Sequence, residues 1–461
     1  MEARTNLWIK TYRYTAVDYL IFFMIATSSL LVFQVKGQEL LMLLQTLFCL
    51  FMLVFYKKVF FIKNILINAV FISVLLAMVS ALINNVRASY TKTAVYMMIV
   101  LVPVYFAAGY LNHYLQDHPA KWNIIRSALK LMCLIQMIWV ALQFYLFKVY
   151  EIDLNQVLFV EKLHIIDIAS FYKGGVEFMP TGFCWHPIIM APVLVLAYFL
   201  FNNIVMKAFV LLEGLFIGNS TVLIVVALCF AADCIYIVYG WVKSGRVSKF
   251  LIIGVFSVLA LAILVLSFTK VPELVWKKVS FVIQRIIGES DDLSTMAHVR
   301  YYTSFWKVMD ISSLSQIFFG YGEGCSGYTM SYLYHQYTSL KCWAVETDIM
   351  NIIYSRGILG FLTFLGFLAQ IVVKGRKIDY RYVVIPIVFL LSGITYNIQF
   401  SWVVFVELLM VFSLEHGVNL FEKRKGRNSY LWSLFLLSHL FIRATASWRI
   451  CSEQSGKTQN R

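Results

Sequence analysis

Long apolar segments separated by short polar ones recur along the whole chain, and this pattern constrains the fold most. A helix needs about 20 apolar residues to cross the hydrocarbon core of a bilayer. The chain has 461 residues, of which 61% are hydrophobic and only 14% are charged, whereas soluble domains carry about 25% charged residues. A soluble enzyme is therefore excluded. The apolar segments lie at 19–35, 38–56, 64–83, 93–111, 127–147, 187–206, 208–218, 220–239, 249–268, 348–373, 382–396 and 401–416.

Two of these segments need comment. The first follows basic residues and lacks a small-residue cleavage site, so it is interpreted as an uncleaved anchor. Segment 208–218 is too short to cross a bilayer alone, and the polar stretch Gly218 to Thr221 lies where it meets the next segment. We therefore expect these two segments to form a pair that turns on a polar hinge.

Basic clusters follow the second, fourth, eighth, tenth and twelfth segments, which predicts the orientation of the chain. Short cytoplasmic loops are enriched in Lys and Arg, and this enrichment accounts for the net charge of +15 without nucleic-acid binding. Both termini are therefore predicted to be cytoplasmic. The clusters are Lys57/Lys58/Lys63, Lys121/Arg126, Lys243/Arg246/Lys249, Lys374/Arg376/Lys377/Arg381 and Lys423/Arg424/Lys425/Arg427.

The predicted fold is an all-α polytopic membrane protein with about twelve transmembrane helices. It has a cytoplasmic N-terminus at 1–18, a transmembrane domain at 19–420 and a basic cytoplasmic tail at 421–461. Two long loops, 148–186 and 268–346, are predicted to lie outside. The second lies between spans nine and ten. It carries seven basic and seven acidic residues, which suits a partly helical extracytoplasmic module.

Three acidic residues lie in the interior of predicted spans, away from their ends. Asp233 is thirteen residues into its segment, roughly 20 Å from the outer face, so a buried, hydrogen-bonded structural role is expected. Glu213 and Glu407 lie in the outer halves of their segments. Ionisable residues at membrane depth either serve function or hold helices together, and both interpretations stay open for these two.

The long outer loop contains three ordered motifs. Arg300 is followed by Trp306, then comes a Gly-x-Gly-x-Gly segment from Gly320, and finally Glu346 precedes the next span. If the helix extends back to Glu346, that residue shares one face with Gly357 and Gly360, within about 40°. Glu346 would then overhang a protein cavity. Alternatively, it is a solvated residue favoured by the helix dipole.

The order of these motifs resembles the bacterial O-antigen ligase/polymerase superfamily. In ligases the last motif begins with His and a small polar residue, whereas this chain has Glu346-Thr347 and then Gly357-Ile358-Leu359-Gly360. A Glu there is similar to the Wzy-type polymerase branch. Gly182 to Pro187 is similar to a further family segment, although Met179 stands where the family often has Arg.

The resemblance implies a glycosyltransferase that moves a growing glycan from undecaprenyl diphosphate to a lipid-linked repeat unit, on the outer face of the bacterial cytoplasmic membrane. Arg300 would hold the departing diphosphate, because the arginine fork bonds oxygens in pairs. Arg285 or Arg356 would supply a second cation; alternatively, Arg356 forms an ion pair with Glu213 or Glu407. Glu346 would act as the general base.

Other residues are weaker candidates for binding substrate. His298 and His335 in the outer loop could bind phosphate or sugar, or be plain surface residues, and Glu177 is an alternative acid/base. His186 precedes Pro187 and could simply cap a helix. No Asp-x-Asp occurs, so neither a metal nor another cofactor is expected, and the simplest mechanism is a single displacement with inversion.

The expected partners are the undecaprenyl-diphosphate-linked oligosaccharide and membrane lipid, with a chain-length regulator and a flippase as further candidates and no nucleic acid. The product would be a capsule, an O-antigen or an exopolysaccharide. The alternatives are an O-antigen ligase, a lipid-oligosaccharide transporter or flippase, and a non-catalytic scaffold. Cys325 and Cys342 could form a disulfide outside the cell.

Overall fold

The protein is described by a computed structural model, which is mostly helical. It describes residues 14–35, 38–84, 88–117, 119–166, 171–173, 177–184, 186–243, 302, 305–322, 347–395 and 401–421. The helices are α1 Ala16–Ala26, α2 Leu40–Tyr56, α3 Ile65–Asn84, α4 Ala88–Gln116, α5 Lys121–Tyr150, α6 Met190–Leu200, α7 Ile204–Ile217, α8 Ser220–Lys243, α9 Phe305–Ile311, α10 Leu314–Phe319, α11 Asp348–Gly375, α12 Arg381–Thr395 and α13 Ser401–Glu415.

The remaining regular elements are small. A π-helix spans Gln156–Lys162, and a 3₁₀-helix spans Pro187–Ile189 directly before α6. Two antiparallel hairpins pair β1 (Gln34–Val35) with β2 (Gln38–Glu39), and β3 (Phe171–Lys173) with β4 (Glu177–Met179). The second hairpin and the π-helix belong to the predicted outer loop 148–186.

Three helices in the described part of the chain are long and apolar enough to cross a membrane: Ile65–Ile83 within α3, the whole of α5, and the whole of α11. Large apolar side chains are exposed on these and neighbouring helices, as at Val54 (77%), Ile65 (80%) and Ile83 (75%). Such surfaces are expected of helices that face lipid, because acyl chains are as apolar as the side chains themselves.

Each predicted span within the described residues overlaps a helix, although 187–206 extends beyond the end of α6 at Leu200 into α7, and 249–268 lies outside the described residues. The end of the first span was predicted wrongly, since α1 ends at Ala26. The Thr27 hydroxyl donates to the Phe23 carbonyl (2.8 Å) and the Ser28 hydroxyl to the Ile25 carbonyl (2.8 Å). These hydroxyls bond to the last turn of α1, and the chain then turns into the β1–β2 hairpin.

Helix α6 lies at the centre of the bundle. All of its 11 residues are buried, and it packs against α5, α7, α8 and α12. An apolar helix that is buried on every side has no lipid-facing or water-facing stripe. It is therefore the packing centre for the segments on either side of it.

The predicted pairing of the seventh and eighth segments is confirmed. Gly218 ends α7 in the left-handed conformation (φ 70°), which a glycine adopts without strain. The Asn219 side-chain oxygen then accepts from the backbone amides of Thr221 (2.9 Å) and Val222 (3.3 Å) at the start of α8. The short α7 thus packs against α8 as a helical hairpin.

The chain segments that carry several of the basic clusters meet at one end of the bundle. Arg126 Nε donates to the Leu420 carbonyl (3.1 Å), and Asn419 Nδ2 donates to Asp379 (3.1 Å). Asp379 in turn forms an ion pair with the buried Arg381 (2.7 Å). Residues after α11 and α13 therefore share this end with the start of α5.

Candidate functional site

The Gly-x-Gly-x-Gly motif that begins at Gly320 is in direct contact with the segment of α11 that leads into the Gly-x-x-Gly motif at Gly357. The backbone amide of Tyr321 donates to the carbonyl of Tyr354 (2.9 Å), and that of Gly322 donates to the carbonyl of Ser355 (2.9 Å). The glycine-containing turn after α10 is therefore bound, backbone to backbone, to the first third of α11. We call this contact, between 318–322 and 354–357, the motif junction.

Glycines on both sides make the motif junction possible. Gly320 has φ 77°, and a Cβ atom there would lie 2.2 Å from the Ser355 carbonyl oxygen. Gly357 has φ 68°, and a Cβ atom there would lie 2.4 Å from the Phe318 carbonyl carbon. Only glycine tolerates both the left-handed conformation and such close backbone approach.

Helix α11 is broken at Gly357, whose φ/ψ values (68°, −173°) are not helical. The break removes the helical partners of nearby carbonyls, and Tyr321 and Gly322 supply replacement donors. Arg356 directly precedes the break and is half-buried. The junction thus places Arg356 next to the N-terminus of the second half of α11, which bears partial positive charge.

The continuous helix assumed for the predicted common face of Glu346, Gly357 and Gly360 is wrong, and Glu346 itself lies outside the described residues. Helix α11 begins at Asp348, with Thr347 in an extended conformation (φ −130°, ψ 134°), and its helical path is interrupted at Gly357. The rule that successive side chains of a regular helix lie about 100° apart therefore cannot be applied across this region. Gly357 is buried as expected, but the close approach that it allows is to Phe318, and not to another membrane-spanning helix.

A small apolar cluster supports the motif junction. Val308 of α9 and Tyr321 pack with Ile353 and Tyr354 of α11. The Tyr321 hydroxyl lies 2.7 Å from the Ser312 hydroxyl. On the other side, the Ser80 hydroxyl of α3 donates to the Gly320 carbonyl (2.9 Å). The described part of the predicted outer loop is therefore held against α3 and α11.

The segment from Thr181 to Phe183 is held by buried amide side chains. Gln143 Oε1 accepts from the amides of Thr181 (3.2 Å) and Gly182 (2.8 Å). Gln136 Oε1 accepts from the amide of Phe183 (2.8 Å). Both glutamines project from α5, so this helix fixes the course of the second family-like segment, and the resemblance alone did not indicate these two residues.

The structure describes three of the predicted site residues. His186 caps the 3₁₀-helix, because its Nδ1 accepts from the Ile188 amide (3.3 Å), and the predicted capping role is thus confirmed. Glu177 lies on β4 opposite Lys173. Arg356 lies at the motif junction. Glu346, Arg300, Arg285, His298 and His335 lie outside the described residues, as do Cys325 and Cys342.

A second polar group lies at the start of α11, and the sequence analysis did not identify it. Asp348 is buried (3% exposed), and its carboxylate fills the space left by Gly393 of α12, where a Cβ atom would lie 2.6 Å from Oδ2. The Tyr302 hydroxyl donates to the Ile394 carbonyl nearby (2.7 Å). Burial raises the pKa of Tyr302, and the charge of Asp348 raises it further. In the sequence, the only indication of this polar group was that Asp348 follows Glu346 by two residues.

Asp233 has the structural role that the sequence predicted. Lys207 Nζ lies 2.6 Å from Asp233 Oδ2, both side chains are buried, and Tyr380 donates to the other carboxylate oxygen. Lys207 was not anticipated as the partner. Breaking such a buried pair on one side leaves an uncompensated charge, which is strongly destabilising.

The buried carboxylate of Glu213 does not pair with Arg356. Neither of its oxygens has a hydrogen-bond partner in the part of the chain that the structure describes, so pairing of Arg356 with Glu213 is wrong, whereas pairing with Glu407 stays open. Glu407 of α13 is also fully buried. The described residues contain no group of three or more His, Cys, Asp or Glu side chains that could hold a metal ion.

No family model matches the sequence, and no curated protein matches it significantly.

Proposed function

We propose that the chain is a polysaccharide repeat-unit polymerase, a glycosyltransferase that moves a growing glycan from undecaprenyl diphosphate to a lipid-linked repeat unit. The reaction is a metal-independent, inverting displacement on the outer face of the bacterial cytoplasmic membrane. The observation that carries this proposal is the motif junction. Motifs separated in sequence, which together resemble the polymerase branch, lie in backbone contact at Tyr321 and Tyr354.

The chemistry of the junction suits a diphosphate leaving group. Departure of a diphosphate needs preorganised positive charge, and an arginine fork can bond two of its oxygens at once. Arg356 is held at a break in α11 by the close approach of Gly320. We therefore favour Arg356 over Arg285 as the second cation beside Arg300, with Glu346 as the general base that takes the proton from the sugar hydroxyl.

The proposed topology follows from the same assignment. About twelve spans with cytoplasmic termini place the starts of α9 and α11 outside and the Asp379–Arg381 end inside. The contacts between Arg126, Leu420 and Asp379 support this arrangement, because they join segments that the alternation of loops assigns to one side.

The test compares Arg356→Lys and Arg356→Ala with Arg376→Lys, an exposed arginine in the loop after α11. Purified protein in proteoliposomes would receive lipid-linked repeat units extracted from cells that lack the chain. Lysine keeps the charge but loses the paired geometry. We therefore expect both Arg356 variants to lose chain growth, measured as a product ladder on gels, whereas Arg376→Lys retains it.

The outcomes separate the alternatives. When lipid A core is supplied as a second acceptor, transfer of the glycan to it without growth of the ladder would indicate a ligase. Movement of the lipid-linked unit across the vesicle membrane without new glycosidic bonds would indicate a flippase. Normal chain growth by Arg356→Lys would remove Arg356 from the site while leaving the polymerase assignment in place.

A further inference from the structure

We infer that α10 and the turn at Gly320 are embedded in the outer hydrocarbon layer of the membrane, where Leu314 and Phe318 contact lipid acyl chains, while α9 lies at the headgroup level. The segment from 305 to 322 would then be a shallow re-entrant element. The sequence pattern predicts an extracytoplasmic, solvent-facing loop for these residues, whereas the inference assigns α10 to the lipid.

The exposed surface of α10 is apolar. Leu314 is 74% exposed and Phe318 is 45% exposed, and residues four apart lie on one face of a helix. The polar Gln316 is buried instead and bonds to Ser313 (2.9 Å). A helix that buries its glutamine side chain and exposes two large apolar side chains suits a lipid environment better than water.

The depth of the motif junction agrees with this environment. From Lys374, at the inner end of α11, the continuous helix rises about 25 Å to Gly357, which is less than the roughly 30 Å thickness of the hydrocarbon core. Gly357, which contacts Phe318, therefore lies just inside the hydrocarbon boundary. Helix α3 gives the same level independently: from Lys63 the chain rises about 25 Å to Ser80, which donates to the Gly320 carbonyl.

The lipid-facing surfaces of the neighbouring helices continue around α10. It packs against α3 and α11, two of the helices long and apolar enough to cross a membrane. The outer parts of these helices expose Ile83 (75%) and Leu362 (55%). Irregular backbone at membrane depth is tolerated where protein satisfies its polar groups. The amide-to-carbonyl bonds of the motif junction meet that requirement.

The composition of α9 marks the opposite environment. Lys307 and Asp310 are exposed on it, and Trp306 is 72% exposed. Charged residues remain in water or headgroups, and tryptophan is enriched at the membrane interface. The chain therefore descends from the headgroup region at α9 to the acyl chains at α10.

The experiment measures the reaction of introduced cysteines with a charged maleimide in proteoliposomes. Freeze–thaw loads the reagent on both sides, so the readout does not depend on topology, and peptide mass spectrometry reports modification at each site. The variants are Leu314→Cys and Phe318→Cys, with Asp310→Cys as the water reference and Leu362→Cys as the lipid reference. All four positions are exposed, so the packing of the bundle is kept.

We expect Asp310→Cys to be modified in vesicles and the Leu314, Phe318 and Leu362 variants to be modified only after detergent is added. Modification of Leu314→Cys and Phe318→Cys in vesicles as fast as Asp310→Cys, with Leu362→Cys protected, would overturn the inference. A second measurement uses the unmodified protein and a phospholipid with a diazirine on its acyl chain. Adducts at Leu314 or Phe318 support the inference, and adducts confined to α3 and α11 contradict it.

Discussion

Single residues at the end of the bundle where the basic clusters meet show how charges are kept buried. Arg381 is 2% exposed and bonds to both carboxylate oxygens of Asp379 (2.9 and 2.7 Å) and to the Phe199 carbonyl (3.1 Å). Burial alone would raise the pKa of Asp379, but the hydrogen bonds and charge of Arg381 outweigh it and hold that pKa below its ordinary value. Asp379 therefore stays ionised.

We predict that Asp379→Asn lowers stability by about 3–5 kcal/mol, because it leaves Arg381 buried without a counter-ion. The measurement is thermal unfolding of the purified protein in detergent. Asp117→Asn is the matched control: Asp117 also pairs with a basic residue, Lys121 (3.5 Å), but its side chain is 58% exposed. An equal loss of stability in both variants would contradict the assigned role.

The same pair predicts how stability depends on pH. Since the folded-state pKa of Asp379 is lowered, its stabilising contribution is complete above the ordinary carboxyl pKa and is lost as pH falls through the folded-state value. Wild-type protein should therefore lose more stability on acidification below about pH 4 than Asp379→Asn does. Parallel acid curves for the two proteins would argue against the pair.

At the proposed site, Glu346→Gln preserves size and hydrogen bonding but removes the proton acceptor. A positioned base typically accelerates the reaction about 10²–10⁴-fold. Chain growth should therefore nearly vanish, while single repeat units persist. Glu346→His should recover part of the activity, because an imidazole can also accept a proton. The assay is the proteoliposome ladder at matched protein amounts. Near-normal ladders from Glu346→Gln would move the search to Glu177 or His298.

Among the elements, the broken helix α11 determines the local architecture. Its interruption at Gly357 and the turn at Gly320 fit each other, and each needs a positive φ (68° and 77°). The 28-residue helix is therefore two helical segments joined at a junction that belongs equally to the loop before it.

We predict that Gly320→Ala and Gly357→Ala each destabilise the protein by at least about 1–2 kcal/mol, the strain of a left-handed alanine, and by more where the backbone cannot move. Gly366→Ala, later in α11, is the control. A Cβ atom there would contact only Leu66 Cδ2, at 3.4 Å, and alanine favours helix. The comparison is made by thermal unfolding and by the ladder assay. A loss in Gly366→Ala as large as that in Gly357→Ala would show that the junction is not special.

For the whole molecule, the alternation of basic loops leads to a topological prediction. In intact cells, a membrane-impermeant maleimide should modify Asp310→Cys in α9 and should spare Lys377→Cys in the loop between α11 and α12. Both positions are exposed in the structure, so accessibility in the protein itself is matched. Modification of Lys377→Cys with protection of Asp310→Cys would invert the orientation, and the proposed outer site would then face the cytoplasm.

Much of the helical arrangement could be predicted from the sequence. Runs of apolar side chains between basic clusters located the helices, because hydrophobic length and charge act locally along the chain. Gly218 and Asn219 marked the turn between α7 and α8 for the same reason: a left-handed residue and an amide cap are properties of short segments. The capping role of His186 was equally local.

Only the tertiary structure decided the rest. The break at Gly357 depends on the backbone of Phe318 and Gly320 approaching it, so counting residues around a continuous helix could not find it. The partner of Asp233 is Lys207 of the preceding helix, and the space for Asp348 is left by Gly393 of the following one. Apolar periodicity carries no information about which distant polar atoms meet, because each such contact requires both partners to be placed by the packing of whole helices.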